Sequence, residues 1–338
     1  MTAHADAAAR TSTAAAHRAR PALGYTQVLA GAALFGLAAI VSKMSLTAGI
    51  APARLSALRC TGAALGLLLF LGLTQPSRLR ISRRDLPLLA VVALTGAALI
   101  QWLYFTAIDR LPVGIALLLE FTGPLMIAVY ARVVQRQAVC RRVWLALGLA
   151  LVGLAMVAQV FGGGAGLDPL GVAAGLAAAV CLAAFYLLSK RALERHHPLT
   201  LTFWMFALAA LFWAVVEPWW TFDASILTDQ ASMLGGLEHV TVPVWVPVLW
   251  LVVLGTLMPY ALEIASLRHL TPTSTGIVGM SEPVIAAVIA WVWLGESLDA
   301  AQVAGALLVL AGVALVQTVG QPGTDPPAPL VPASFEPV

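Results

Sequence analysis

The sequence predicts an all-α polytopic membrane protein, with ten transmembrane helices arranged as two inverted five-helix repeats. Three observations carry this. Hydrophobic residues make up 60% of the 338 and charged residues 10%, against roughly 25% charged in ordinary soluble domains. Apolar runs of about 20 residues, the length that crosses a bilayer, recur along almost the whole chain. Residues 96–157 also align without a gap onto 255–316, at a constant offset of 159. Lipid offers no partner to an unpaired backbone group, so each run is expected to be a helix. A membrane β-barrel would show short alternating segments instead.

In chain order, residues 1–24 are rich in Ala, Thr and Arg and read as a solvated cytoplasmic tail. Spans follow at 25–47, 54–74, 86–108, 112–134 and 142–161, forming a first repeat over 25–161. A second repeat over 162–319 holds spans at 169–191, 199–220, 244–267, 272–294 and 299–319. Residues 320–338 contain six prolines and read as a disordered cytoplasmic tail.

Charge orients these spans. With a cytoplasmic N-terminus, fifteen Lys and Arg fall in inside segments, and only Arg54 and Arg110 fall in outside loops. Such asymmetry over short loops is the positive-inside signal, and it places both termini in the cytoplasm. The longest loop, 221–243, carries Asp223, Asp229 and Glu238 with no Lys or Arg. The net charge of +3 is spread over several loops facing anionic lipid, so it implies a bilayer and no nucleic acid. Cys60, Cys140 and Cys181 suggest neither a disulfide framework nor zinc, and no metal or cofactor is expected. Arg outnumbers Lys 17 to 2 and Ala and Gly abound, as in a GC-rich bacterial gene. The expected location is therefore a bacterial inner membrane.

Within the repeat, Gly96, Leu111, Pro124 and Gly153 match Gly255, Leu270, Pro283 and Gly312. Ser42-Lys43 near the end of span 1 recurs as Ser189-Lys190 near the end of span 6. Five spans per half is an odd number, so the second half enters the membrane from the opposite side. Inverted repeats are a recurring architecture of secondary transporters, which hold their substrate near the midplane between the halves.

Five ionisable residues lie within spans: Lys43, Arg59, Glu120, Glu263 and Glu282. Each costs roughly 2.5–3.5 kcal/mol at a helix centre, so each needs a compensating role. A functional role competes with a structural one: Glu120 can pair with Arg59 or Lys43, and Glu263 with Arg268. Three prolines interrupt spans, and a proline deprives the carbonyl four residues earlier of its donor. Pro124, Pro283 and Pro259 free the carbonyls of Glu120, Gly279 and Gly255 respectively. Freed carbonyls beside a carboxylate suit an ammonium group, and a nearby cation suits a substrate carboxylate. The expected substrate- or proton-binding residues are Glu120, Glu282, Arg59, Lys43, Glu263, Tyr260 and Gln101. Tyr260 and Gln101 serve as hydrogen-bonding groups that also read as packing residues. The Asp299-x-x-Gln302 spacing reads as a capping box opening span 10.

Several motifs resemble one family. Gly114-Ile115-Ala116 leads to Glu120-Phe121-Thr122-Gly123-Pro124 in span 4. Pro259-Tyr260-x-Leu262-Glu263, Met280-Ser281-Glu282-Pro283 and Leu294-Gly295-Glu296-x-Leu298 follow in order. Together they resemble the threonine/homoserine exporters of the EamA branch of the drug/metabolite transporter (DMT) superfamily, over about residues 25–319. The resemblance implies ten helices in two inverted repeats, cytoplasmic termini, a small-metabolite cargo and export. The expected function is thus a secondary transporter moving an amino acid or derivative outward by alternating access. The alternatives are transport of another metabolite or drug in either direction and, more remotely, an intramembrane enzyme. Against the enzyme, Gly279-Met280-Ser281 has no following glycine and no histidine at its depth, and no His-Glu-x-x-His motif exists.

Overall fold

A computed structural model describes residues 20–111, 113–159, 168–295 and 298–319. Among them the chain forms ten helical rods. α1 is Pro21–Thr47 and α2 Pro52–Thr74, each opened by a proline, whose fixed φ suits the first turn. α3 runs through Leu86–Ala93 and Leu99–Arg110, joined by a π-turn at Leu94–Ala98. α4 is broken into Val113–Glu120 and Gly123–Val133, and α5 is Arg141–Val157. α6 is Pro169–Ala192 and α7 Pro198–Val216. α8 runs through Trp245–Val252 and Met258–Ser266 with a π-turn at Val253–Leu257. α9 is broken into Pro272–Gly279 and Glu282–Ile289, ending in a π-turn at Ala290–Leu294. α10 is Ala300–Gln317. Nine of the ten are long and apolar enough to cross a membrane; α5 has 17 residues. The protein is a multi-pass helical membrane protein.

The irregularities recur at the sequence offset. The π-turns at 94–98 and 253–257 lie 159 residues apart, as do the breaks at 121–122 and 280–281. At each break the residue two before the proline turns its hydroxyl back onto a carbonyl. Thr122 Oγ1 donates to Leu119 O at 2.6 Å and Ser281 Oγ to Val278 O at 2.7 Å. Each hydroxyl satisfies an acceptor beside the lost helical bond, which permits a break at membrane depth.

Close contacts recur too. A Cβ on Gly153 would stand 2.5 Å from the Gly305 carbonyl oxygen, and one on Gly312 would stand 2.7 Å from that of Ala146. Adding 159 to 153 and subtracting it from 305 turns the first residue pair into the second. These glycines bring the backbones of α5 and α10 together, the small-residue packing that lipid-embedded helices rely on. Gly96 meets Phe185 and Gly255 meets Ala38. Here 96 and 255 are 159 apart, whereas 38 and 185 are 147 apart, the spacing of the two Ser-Lys pairs.

The helix ends divide between a basic face and an acidic face. α1 begins on the basic face, where Arg195 and His196 reach Asp85 at 3.3 and 3.4 Å. On the acidic face the long loop contains a short hairpin. Gln230–Ser232 and Thr241–Pro243 pair antiparallel, with Ala231 opposite Val242. Trp293 Nε1 donates to Met233 O at 3.0 Å, and Ala231 is buried. Arg54, expected in an outside loop, is likewise buried. It meets Glu217 at 2.9 Å and donates to Thr221 Oγ1 and the Glu217 and Pro218 carbonyls, tying α2 to the end of α7.

α1 starts at Pro21, four residues earlier than expected, because Gly24 packs against His269 and Leu270. The rest of the expected N-terminal tail, the tail at 320–338 and Glu296 lie outside the described residues. Gly295, at φ +71°, adopts the left-handed conformation that ends α9.

The capping box is present. Asp299 accepts from Gln302 N at 2.7 Å, and Gln302 Oε1 accepts from Asp299 N at 3.0 Å. Asp299 also accepts from Gln159 Nε2 at 2.7 Å, and the Gln302 amide and this bond hold its carboxyl below the ordinary range. Asp299→Ala removes the cap and is expected to lower the unfolding temperature in detergent with transport retained.

Candidate functional site

The bundle encloses a cavity of about 410 Å³, lined from α1, α2, α3, α4, α6, α8 and α9. That size falls in the range of small-molecule sites. α5, α7 and α10 stand outside it. Four of the five span-embedded charges meet on its wall: Arg59, Glu120, Glu263 and Glu282. Gln101, Tyr260 and Pro283 line it as well. The fifth charge, Lys43, is exposed and does not line the cavity, although Ser42 beside it does. Pro124 is buried against Gly276 behind the wall, and Pro259 is buried in α8.

Arg59 is held by the distortion of α8. The π-turn and Pro259 leave the Gly255 carbonyl without a regular helical partner, and the guanidinium takes it. Nη2 donates to Gly255 O at 3.0 Å and Nε to Thr256 Oγ1 at 2.7 Å. The carbonyl anticipated as a ligand for an ammonium group is therefore occupied by a protein cation. Among the described residues Arg59 forms no ion pair with a carboxylate, and the structural alternative for Glu120, a pair with Arg59 or Lys43, is not found.

Glu263 does not pair with Arg268. Its Oε1 accepts from Tyr186 Oη at 2.6 Å, and Tyr186 also lines the cavity. Gly279, the repeat counterpart of Glu120, stands beside this pair: a Cβ there would lie 3.5 Å from Tyr186 Oη and 3.9 Å from Glu263 Oε1. The duplication thus puts a carboxylate at Glu120 and, at its counterpart, a glycine that leaves room for the Tyr186–Glu263 pair.

Tyr260 is packed edge-on by Phe35 and Phe206, with ring centroids 5.2 and 5.3 Å away. The Gln101 Oε1 is buried with no hydrogen-bond partner among the described residues, which suits a group awaiting a ligand. The remaining wall is largely apolar, with Phe35, Ile100, Leu117, Phe121, Leu182 and Phe185. Sequence reasoning left these out, because an apolar residue in a membrane helix carries no signal of which neighbour it faces.

The wall extends toward the acidic face as far as Leu46 and Leu55. Toward the basic face it stops at Glu263 and Tyr186. Below them Lys190 Nζ donates to the carbonyls of Leu267 and, at 3.0 Å, Leu270, in the turn between α8 and α9. Chemically, the site offers three acceptors of positive charge, one cation in a fixed orientation, and no nucleophile–histidine pair. No group of three metal-ligating side chains occurs among the described residues.

The chain is similar to known proteins. The threonine/homoserine exporter RhtA of Salmonella typhimurium (strain SL1344) is 31% identical over 250 residues, 73% of this chain and 77% of the relative. That of Escherichia coli K12 is 31% identical over 241 residues, 71% and 74% of the two chains. An uncharacterized transporter, sll1319, of Synechocystis is 26% identical over 226 residues, 65% of each. A solved crystal structure superposes with a TM-score of 0.70 at 18% identity, over 86% of this chain and 95% of that one; this speaks for the fold alone. The relatives and the family support a membrane transporter of small metabolites. The model of the EamA-like transporter family matches twice, over residues 22–159 and 169–318, and the chain belongs to that family.

Proposed function

We propose that this protein is a secondary transporter that moves an amino acid or amino-acid derivative outward across a bacterial cytoplasmic membrane by alternating access. One observation carries the reading: Arg59, Glu120, Glu263 and Glu282 converge on one cavity between the halves of the chain. A zwitterion needs an anion-binding and a cation-binding group in one site. Arg59 serves the cargo carboxylate, and Glu120 and Glu282 bind its amine or exchange protons with it. Glu263, Tyr260 and Gln101 complete the polar wall, and the apolar residues receive the side chain. The names of the RhtA relatives support this cargo class and the outward direction. The basic face is placed in the cytoplasm by the positive-inside rule, and the two halves are read as inverted repeats. A second reading, a bulkier metabolite or drug, draws on the aromatic wall of Phe35, Phe121 and Phe185.

Glu120→Gln and Glu282→Gln preserve shape and remove charge. Each is expected to lower flux of labelled amino acid in reconstituted vesicles by at least about tenfold, the cost of roughly one charge-assisted hydrogen bond. Wild-type flux from both, at normal protein levels, would contradict the assignment.

A further inference from the structure

Lys190 and Lys43 occupy matching places at the ends of α6 and α1, yet their surroundings differ. Lys190 donates to the carbonyls of Leu267 and Leu270, in the turn that ends α8. Carbonyls at a helix C-terminus lack intrahelical partners and attract a cation. Ser189 beside it is fully buried. Ser42, its counterpart, lies on the cavity wall, and Lys43 is exposed with no side-chain hydrogen bond among the described residues. One motif thus stands in a closed environment on the basic side and an open one on the acidic side.

Symmetry names the missing partners. The contact of α1 with α8 through Ala38 and Gly255 is the counterpart of that of α6 with α3 through Phe185 and Gly96. Under the same two offsets, the contact of Lys190 with Leu267 and Leu270 becomes one of Lys43 with Ile108 and Leu111. Those residues end α3, so their carbonyls are C-terminal ones as well. We propose that the two lysines are alternating latches. Lys190 holds the basic side shut in the state seen here. Lys43 seats on the Ile108 and Leu111 carbonyls when the acidic side shuts. This rests on the alternating-access reading.

The test follows accessibility rather than flux. In the full chain with Cys60, Cys140 and Cys181 replaced by serine, Ala39→Cys places a thiol at an exposed position on the cavity wall. Its labelling by a membrane-impermeant maleimide is timed on intact cells without cargo. Lys190→Ala is expected to slow labelling about tenfold by releasing the basic side. Adding Lys43→Ala is expected to bring the rate back to within about twofold of the parent, because both latches are then gone. Lys190→Met, which keeps the aliphatic stem, is read the same way where the alanine variant fails to accumulate. Unchanged labelling in a well-expressed Lys190 variant, or slowing that Lys43→Ala does not reverse, would overturn the proposal. Loss of the cargo assignment alone would leave these rates unaltered.

Discussion

Arg59→Met should abolish transport. The guanidinium holds two acceptors of α8, the Gly255 carbonyl and the buried Thr256 hydroxyl, and it is the one cation among the residues lining the cavity. Hydrogen bonds to charged groups are each worth about 1.5–3 kcal/mol. Losing two of them and the cargo's anion partner should lower flux by at least about a hundredfold. Arg59→Lys keeps charge but not the planar fork that reaches both acceptors at once, so it should recover only part of the rate. Initial-rate uptake into vesicles, normalised to reconstituted protein, checks both. Full activity of Arg59→Met would remove Arg59 from the cargo site.

The largest stability effect is expected from Gly305→Leu. At Gly305 an added Cβ would meet the Gly153 carbonyl at 2.5 Å and the Val157 amide nitrogen at 2.9 Å, both backbone atoms that no rotamer change can move aside. α5 and α10 must then separate. Overpacking costs about 1–3 kcal/mol where side chains can adjust, and here they cannot. The expected result is loss of monodisperse protein on size exclusion, or a sharply lower unfolding temperature. Gly148→Leu on α5, where a Cβ would have open space, should be tolerated and serves as the control.

Much of the architecture was legible in the sequence, because a bilayer leaves the chain few options. Apolar length marks a span. The ten expected spans correspond to the ten rods, with ends shifted by a few residues. The helix breaks beside Pro124 and Pro283 were legible for the same reason: proline removes a donor wherever it stands. The hydroxyls of Thr122 and Ser281 that repair those breaks were not anticipated, since a threonine or serine in a span usually just bonds within its own helix. Nor were the π-turns at Gly96 and Gly255, because no residue type specifies them.

The site was legible in its ingredients and less so in its pairings. Depth along a helix can be counted, but the direction in which a side chain points depends on neighbours the sequence does not place. Arg59 and Lys43 were therefore both candidates for the cation, with Arg59 the favoured one, and of the two only Arg59 lines the cavity. Glu263 was expected either in the site or paired with Arg268, and it turns inward to Tyr186 on the cavity wall. The acidic loop concealed a short hairpin because three-residue strands fall below any periodicity. The carbonyl of Gly255 was correctly expected to be free of its helix and was assigned to the wrong partner.

In the proposed function one cavity binds a zwitterion through opposite charges. Counterflow in proteoliposomes tests it directly, with labelled L-threonine outside and unlabelled amino acids or their single-charge analogues inside. Transient accumulation is predicted when the internal compound carries both an amine and a carboxylate. It should be lost when either group is missing, and lost for all compounds in Glu282→Gln or Arg59→Met. Equal counterflow with an amine-free or carboxylate-free analogue, or flux that never saturates, would contradict the account.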